Sequence, residues 1–148
     1  MSPKILNMIL WIFMISGTVL AGSFQLYPGA RLEKKLTDQA HEVALKHHIK
    51  TISTVYTSSD SYEKVYEFYL KTGKEAPMSG TTNRSPVKLP DGRFVKKAYF
   101  IFDGTDAINL SKSWVTIQRP MIGAMKVVGG KIQFEDIREE TAIQTATK

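Results

Sequence analysis

The histidines are the first residues of this 148-residue chain to consider as metal ligands or catalytic bases. His41, His47 and His48 are its three histidines, and all fall in one short stretch. On a helix, His41 and His48 would share a face but lie about 10 Å apart along the axis, too far to bind one metal ion without a third element between them. No His-Glu-x-x-His motif is present. We therefore expect solvated polar side chains here, and no metal site.

Two carboxylates suggest a second possible chemistry. Asp103 and Asp106 flank Gly104-Thr105, directly after the segment with the strongest strand pattern. Two acids at the end of a strand are able to bind Mg²⁺ or Ca²⁺. The segment lacks the further acids of a calcium loop, and Asp-Gly is also a common turn. We interpret it as a turn. The alternative is a small metal-dependent hydrolase in which both aspartates and a histidine form an unrecognised site.

Nucleophilic and cofactor chemistry is poorly represented in the sequence. The chain has no cysteine, which excludes disulfides, a thiol nucleophile, an iron–sulfur cluster and a cysteine-based zinc site. It also lacks a Gly-x-Ser-x-Gly elbow, a Ser-x-x-Lys pair and a glycine-rich phosphate loop. We therefore predict no catalytic residue, no metal and no cofactor. These absences favour a protein that is not an enzyme, and the small hydrolase stays open as the alternative.

Aromatic and basic side chains are the better candidates for ligand binding. Tyr99 lies in an apolar segment, Trp114 opens the next one, and Arg119 ends it. Aromatic side chains with a polar atom often line ligand clefts, although the same residues also build cores. Lys and Arg number 20 against 14 acids, a formal charge of +6 that favours anionic partners. These three residues are the predicted binding residues.

The first 23 residues have the pattern of a secretory signal. Lys4 is followed by the apolar run Ile5 to Leu20 and then by small residues, so we expect cleavage after Ala21 or Ser23. A retained anchor is the alternative, but a full span needs about 20 apolar residues. The mature protein is then periplasmic or extracellular. It would meet a membrane only during export or through an uncleaved leader, and would not meet nucleic acid.

Helical patterns dominate the first half of the predicted mature chain, residues 24–148. Apolar residues spaced by three and four predict a helix over Arg31–His48. A β-branched run predicts a strand over Ile49–Thr57. A second helix is predicted over Ser61–Thr72, with Asp60 as its N-cap and Gly73 at its C-terminal end.

Strand patterns dominate the second half. They predict strands over Arg93–Asp103 and Ser113–Arg119, a hairpin turning at Gly129-Gly130, and a last strand over Ile137–Thr145. A long loop is predicted at residues 73–90 because prolines and glycines interrupt it. The order of elements predicts one α+β domain, with two N-terminal helices packed on one face of an antiparallel sheet of four to six strands.

Several motifs resemble those of a group of small exported bacterial proteins of uncharacterised function. They are Tyr27-Pro28-Gly29-Ala30, Val55-Tyr56-Thr57, Asp60-Ser61-Tyr62-Glu63-Lys64-Val65, Phe68-Tyr69, Trp114-Val115-Thr116-Ile117-Gln118-Arg119-Pro120 and Thr141-Ala142-Ile143. The resemblance implies a bacterial envelope protein with an α+β domain, and it carries over no catalytic residue. The chain departs from lipid-anchored relatives because it lacks a cysteine at the signal boundary.

From these observations we expect an exported, non-catalytic envelope accessory protein or binding module. Its partner would be an envelope protein or an anionic envelope component, held by the sheet face or by the loop at residues 73–90.

Overall fold

The computed structural model describes residues 24–77 and 87–148. The predicted leader, residues 1–23, lies outside the described residues, as do residues 78–86 of the predicted loop. The described part contains two helices and eight strands. Neither of these helices is long and apolar enough to cross a membrane.

The secondary structure alternates at first and then becomes all strand. The elements are β1 (Arg31–Leu32), α1 (Lys34–Lys46), β2 (Ile52–Ser58), α2 (Tyr62–Thr72), β3 (Lys74–Glu75), β4 (Lys96–Ile101), β5 (Ser113–Arg119), β6 (Met121–Val128), β7 (Lys131–Arg138) and β8 (Thr141–Thr147).

Six strands form one antiparallel sheet in the order β1-β2-β8-β5-β4-β3. The last strand of the chain, β8, therefore lies near the middle, between β2 and β5. One row of paired residues crosses the four long strands: Tyr56 pairs with Ile143, Ile143 with Ile117, and Ile117 with Ala98. Residues of one row share a face, so this row points to the same side of the sheet.

The main core lies between that face and α2. Val65 and Tyr69 of α2 are four residues apart, and both are fully buried, against Phe100, Ile117 and Ile143 among others. The spacing puts both side chains on one face of the helix. The buried hydroxyl of Tyr69 accepts a hydrogen bond from the Tyr27 amide at 3.1 Å, which ties the lead-in segment to the core.

The predicted fold class, with two helices on one sheet face, is wrong: the molecule is mostly β, and α1 lies at an edge. The Glu33 amide donates to the Val55 carbonyl at 2.8 Å, and the Val55 amide donates to Thr37 Oγ1 at 3.0 Å. These contacts hold the start of α1 along the outer edge of β2, where the helix satisfies backbone groups of the strand. Thr37 is the one buried residue of α1, while Val43 and Leu45 are 52% and 79% exposed. The apolar spacing correctly predicted a helix, but the apolar side of α1 does not pack on the face of the sheet.

Helix α2 is confirmed together with Gly73 at its C-terminal end, and only its N-cap differs from the prediction. Ser61, and not Asp60, is the N-cap, and its side chain accepts from the Lys64 amide. Gly73 ends the helix with an extended backbone. Glycine is required there because a Cβ would lie 2.6 Å from the Phe102 ring.

A second, two-stranded sheet leaves the main sheet between β5 and β8. We call it the β6–β7 arm. It is the predicted hairpin, but both of its strands extend further from the turn than the sequence pattern indicated. Gly129 and Gly130 form its turn with φ values of 57° and 76°, which side chains with a Cβ adopt reluctantly. Strands β6 and β7 contact each other extensively, and each of them makes far fewer contacts with the rest of the described structure.

Candidate functional site

The sheet face opposite α2 carries a mixed set of aromatic, amide and hydroxyl side chains. Strand alternation and register place them together, and we call this surface the open face. Its members are Val55, Lys97, Tyr99, Trp114, Thr116, Gln118 and Gln144. In its central row Tyr99 pairs with Thr116, and Thr116 with Gln144. Gln144 is exposed and Thr116 half-buried, so the middle of this face is accessible.

Two lysines lie over the two aromatic rings of the open face. The Lys97 ammonium is 5.3 Å from the centre of the Tyr99 ring, and the Lys148 ammonium is 5.6 Å from the Trp114 ring. Both contacts fall within cation–π range. Tyr99 itself is buried in a second apolar cluster with Ala76, Ile101 and Ile108, which covers this end of the open face.

The side chains of the open face offer several kinds of contact to a ligand. Amide and hydroxyl groups of Gln118, Gln144 and Thr116 hydrogen-bond to polar ligands, Trp114 offers a flat apolar surface, and the lysines attract negative charge. A polar ligand with anionic groups fits this set best. Its amide and hydroxyl members escaped prediction, although the alternation Trp-Val-Thr-Ile-Gln in β5 is the signal that would have identified them.

The structure brings two of the three predicted binding residues to the same face. Trp114 pairs with Ile101, two residues from Tyr99 along β4, so the two rings are diagonal neighbours. Arg119 instead pairs with Lys96 and points to the side of α2. Its Nη1 donates to the Asp60 carbonyl at 3.1 Å and to Thr141 Oγ1 at 3.3 Å. Arg119 thus connects the start of α2 to the sheet. The binding role of Tyr99 and Trp114 stays a prediction.

The two aspartates of the alternative metal site are used separately. Asp103 accepts hydrogen bonds from the Lys112 amide at 2.7 Å, from Ser111 Oγ at 2.9 Å and from Thr105 Oγ1 at 2.8 Å. Burial raises the pKa of Asp103, but these hydrogen bonds outweigh it and hold the pKa at about 2. Asp106 is exposed and pairs with Lys74 at 2.8 Å. The carboxylate of Asp103 therefore organises a turn.

The histidines are equally dispersed. His41, His47 and His48 are all exposed, in α1 or just after it. In residues 24–77 and 87–148, no three side chains among His, Asp and Glu are grouped closely enough to hold a metal ion.

A second candidate surface is a shallow groove of about 540 Å³ along α2. It is lined by Tyr62, Glu63, Tyr66, Glu67, Leu70 and Lys96. The rings of Tyr62 and Tyr66 stack with centres 5.9 Å apart, and the Lys96 ammonium lies 5.8 Å from the Tyr62 ring while pairing with Glu63. Because Glu63 already neutralises the charge of Lys96, the groove offers less free positive charge to a ligand than the open face does.

Comparison with known proteins adds no relative. No protein-family model matches this chain, and no curated protein or solved structure shows significant similarity to it. The open face and the groove along α2 are therefore the features that bear on function.

Proposed function

We propose that this chain is an exported, non-catalytic binding module that holds an anionic envelope component on its open face. The observation that carries the proposal is the half-buried ring of Trp114 with the Lys148 ammonium 5.6 Å from its centre, next to Lys97, which lies 5.3 Å from the centre of the buried Tyr99 ring. Side-chain amides beside them supply hydrogen bonds. The formal charge of +6 would help to attract such a partner.

A sulfated or phosphorylated polysaccharide is the ligand class that matches these groups. Sugar rings stack on aromatic side chains through their apolar faces, and their hydroxyls hydrogen-bond with amides. The acidic substituents would pair with Lys97 and Lys148, which would then exchange contact with the rings for contact with the ligand.

Fluorescence of Trp114 tests the proposal directly. The chain has one other tryptophan, Trp11, and its replacement by Phe leaves Trp114 as the sole reporter. We expect dextran sulfate to change the emission of Trp114 saturably, and neutral dextran of the same length to leave it unchanged.

Matched lysine variants locate the binding surface. Lys97→Gln together with Lys148→Gln should weaken dextran sulfate binding about thirtyfold, since each of the two lost ionic contacts is worth roughly 1 kcal/mol. Lys71→Gln removes an exposed positive charge from α2, on the opposite side of the sheet, and should change the affinity less than about twofold. Equal loss in both variants, or an unchanged Trp114 emission, would show that the open face is not the binding site.

A further inference from the structure

The β6–β7 arm presents an apolar face that no other element in the described part of the chain covers. In its register, Met125 pairs with Phe134, and Val127 pairs with Ile132. These four side chains share one face of the hairpin because paired residues and alternate residues point to the same side. Met125, Val127 and Ile132 are 68%, 74% and 62% exposed.

The opposite face of the arm is polar and basic. It carries Lys126, Lys131, Gln133 and Glu135 together with Ala124 and the 51% exposed Val128, and Lys126 pairs with Glu135 at 2.8 Å. Residues 124–135 contain these two lysines and one acid, Glu135, so their net charge is +1. The outer part of the arm is therefore an amphipathic, positively charged hairpin.

We propose that the outer part of the arm binds to the surface of an anionic lipid bilayer. Its apolar face, formed by Met125, Val127, Ile132 and Phe134, enters the boundary between headgroups and acyl chains, and its lysines contact lipid phosphates. Basic amphipathic helices lie in the membrane interface in the same manner, with their apolar face buried about 5–10 Å deep. A two-stranded hairpin whose faces are separated in this way has the same distribution of groups.

Size and charge favour a bilayer over a second copy of the chain. A stable protein interface uses about 20–30 residues on each side, whereas this apolar face has four large side chains. A bilayer instead requires only apolar side chains of modest total area together with positive charge, and its phosphates complement Lys126 and Lys131. This contact uses a surface separate from the open face. The test of membrane binding is therefore independent of the test of the proposed function. It also adds a membrane contact beyond the predicted leader.

The absence of cysteine from the sequence makes a clean experiment possible. A single Val127→Cys substitution in the full chain, labelled with the environment-sensitive fluorophore NBD, reports on the apolar face. Gln133→Cys is the matched control, because Gln133 is exposed on the polar face of the same hairpin. Each labelled protein is mixed with vesicles of phosphatidylcholine alone and with vesicles containing phosphatidylglycerol.

We expect the Val127 label to shift to the blue and brighten several-fold with phosphatidylglycerol vesicles, and the Gln133 label to change much less. In the Val127-labelled chain, Met125→Ser with Ile132→Ser should weaken this response at least about tenfold, as expected from two lost apolar contacts. Lys126→Gln with Lys131→Gln should weaken it as well, and added salt should have a similar effect.

Four outcomes would overturn the inference. They are equal changes at both labels, equal responses to neutral and anionic vesicles, no response at all, and a shift that appears on raising the protein concentration without lipid. The last result would identify a second copy of the chain as the partner. Because the comparison is made between variants of the same full chain, any contribution of residues 1–23 to vesicle binding is common to all of them.

Discussion

At the scale of single residues, charged side chains in this protein connect segments that are distant in sequence. Arg138 donates to Glu33 at 3.1 Å and to Glu140 at 3.0 Å, and Glu33 also accepts from Thr57 Oγ1. Hydrogen bonds from Arg138 lower the pKa of Glu33 despite its partial burial. This network joins the base of the β6–β7 arm to the start of α1. Charges that are engaged in this way are not free to act as acids or bases.

Asp103 shows the same use of a carboxylate and gives a prediction with a defined pH dependence. The pKa of Asp103 is lowered to about 2 from the ordinary 3.8, so its stabilising contribution is complete above pH 3.8 and is lost as the pH falls through 2. We expect Asp103→Asn to lower the free energy of unfolding by about 1–2 kcal/mol at pH 7. The difference from wild type should shrink below pH 4 and disappear near pH 2.

Urea denaturation followed by circular dichroism at several pH values measures this difference. Asp38→Asn is the control, because the pair of Asp38 with Lys34 is solvent-exposed and should contribute less than about 0.5 kcal/mol at pH 7. A deficit of Asp103→Asn that persists unchanged at pH 2 would contradict the assignment of the carboxylate to this turn.

At the scale of elements, the contrast between the two helices explains why the predicted fold class was wrong. Both have apolar residues at helical spacing, which is the signal that predicts burial of one face. In α2 that face is occupied by Val65 and Tyr69, and the sheet covers it. In α1 the buried position is Thr37, which supplies a hydroxyl to the edge of β2. Periodicity identifies a helix but does not say whether a face or an edge of a sheet receives it.

Thr37 therefore provides a test of the edge contact. Thr37→Val conserves the shape of the side chain but removes the acceptor of the Val55 amide. We expect a loss of about 1–3 kcal/mol of unfolding free energy, because the amide is left without its partner. Hydrogen exchange of the Val55 amide should accelerate in the same variant. Thr37→Ser retains the hydroxyl and should protect that amide better than Thr37→Val, and equal behaviour of the two variants would argue against this role.

At the scale of the whole molecule, the structure consists of the main sheet with α2 packed on it and of the β6–β7 arm, which joins the main sheet at the arm's own base. Ile143 of β8 is fully buried in the middle of the main sheet, whereas Val127 of the arm is 74% exposed. The two parts should therefore respond differently to mutation. The main sheet supplies the stability, and the arm supplies exposed surface.

We expect Ile143→Ala to lower the free energy of unfolding by about 2–5 kcal/mol, because it leaves a cavity between β2, β5 and α2. Val127→Ser should alter it by less than about 0.5 kcal/mol. Thermal and urea unfolding of both variants measure the contrast. A loss in Val127→Ser comparable to that in Ile143→Ala would mean that the arm is packed against the body.

Local patterns in the sequence were sufficient for several elements. The helix α2, the strand β5 and the turn at Gly129-Gly130 are confirmed, since each depends on residues that are near neighbours in the chain. The lack of cysteine and of nucleophile motifs likewise follows from composition alone. Part of the candidate site could also be predicted from the sequence. Tyr99 and Trp114 lie in successive strands, β4 and β5, and alternation along each strand determines which face each ring occupies.

Tertiary structure alone decided the remainder. The insertion of β8 between β2 and β5, the edge position of α1 and the separation of Arg119 from Tyr99 and Trp114 all depend on pairing between distant segments. Tyr56 and Ile143 are partners although they are 87 residues apart in the sequence, and no local pattern encodes that choice. It is set by which apolar faces bury one another most completely, a property of the whole chain and not of any window within it.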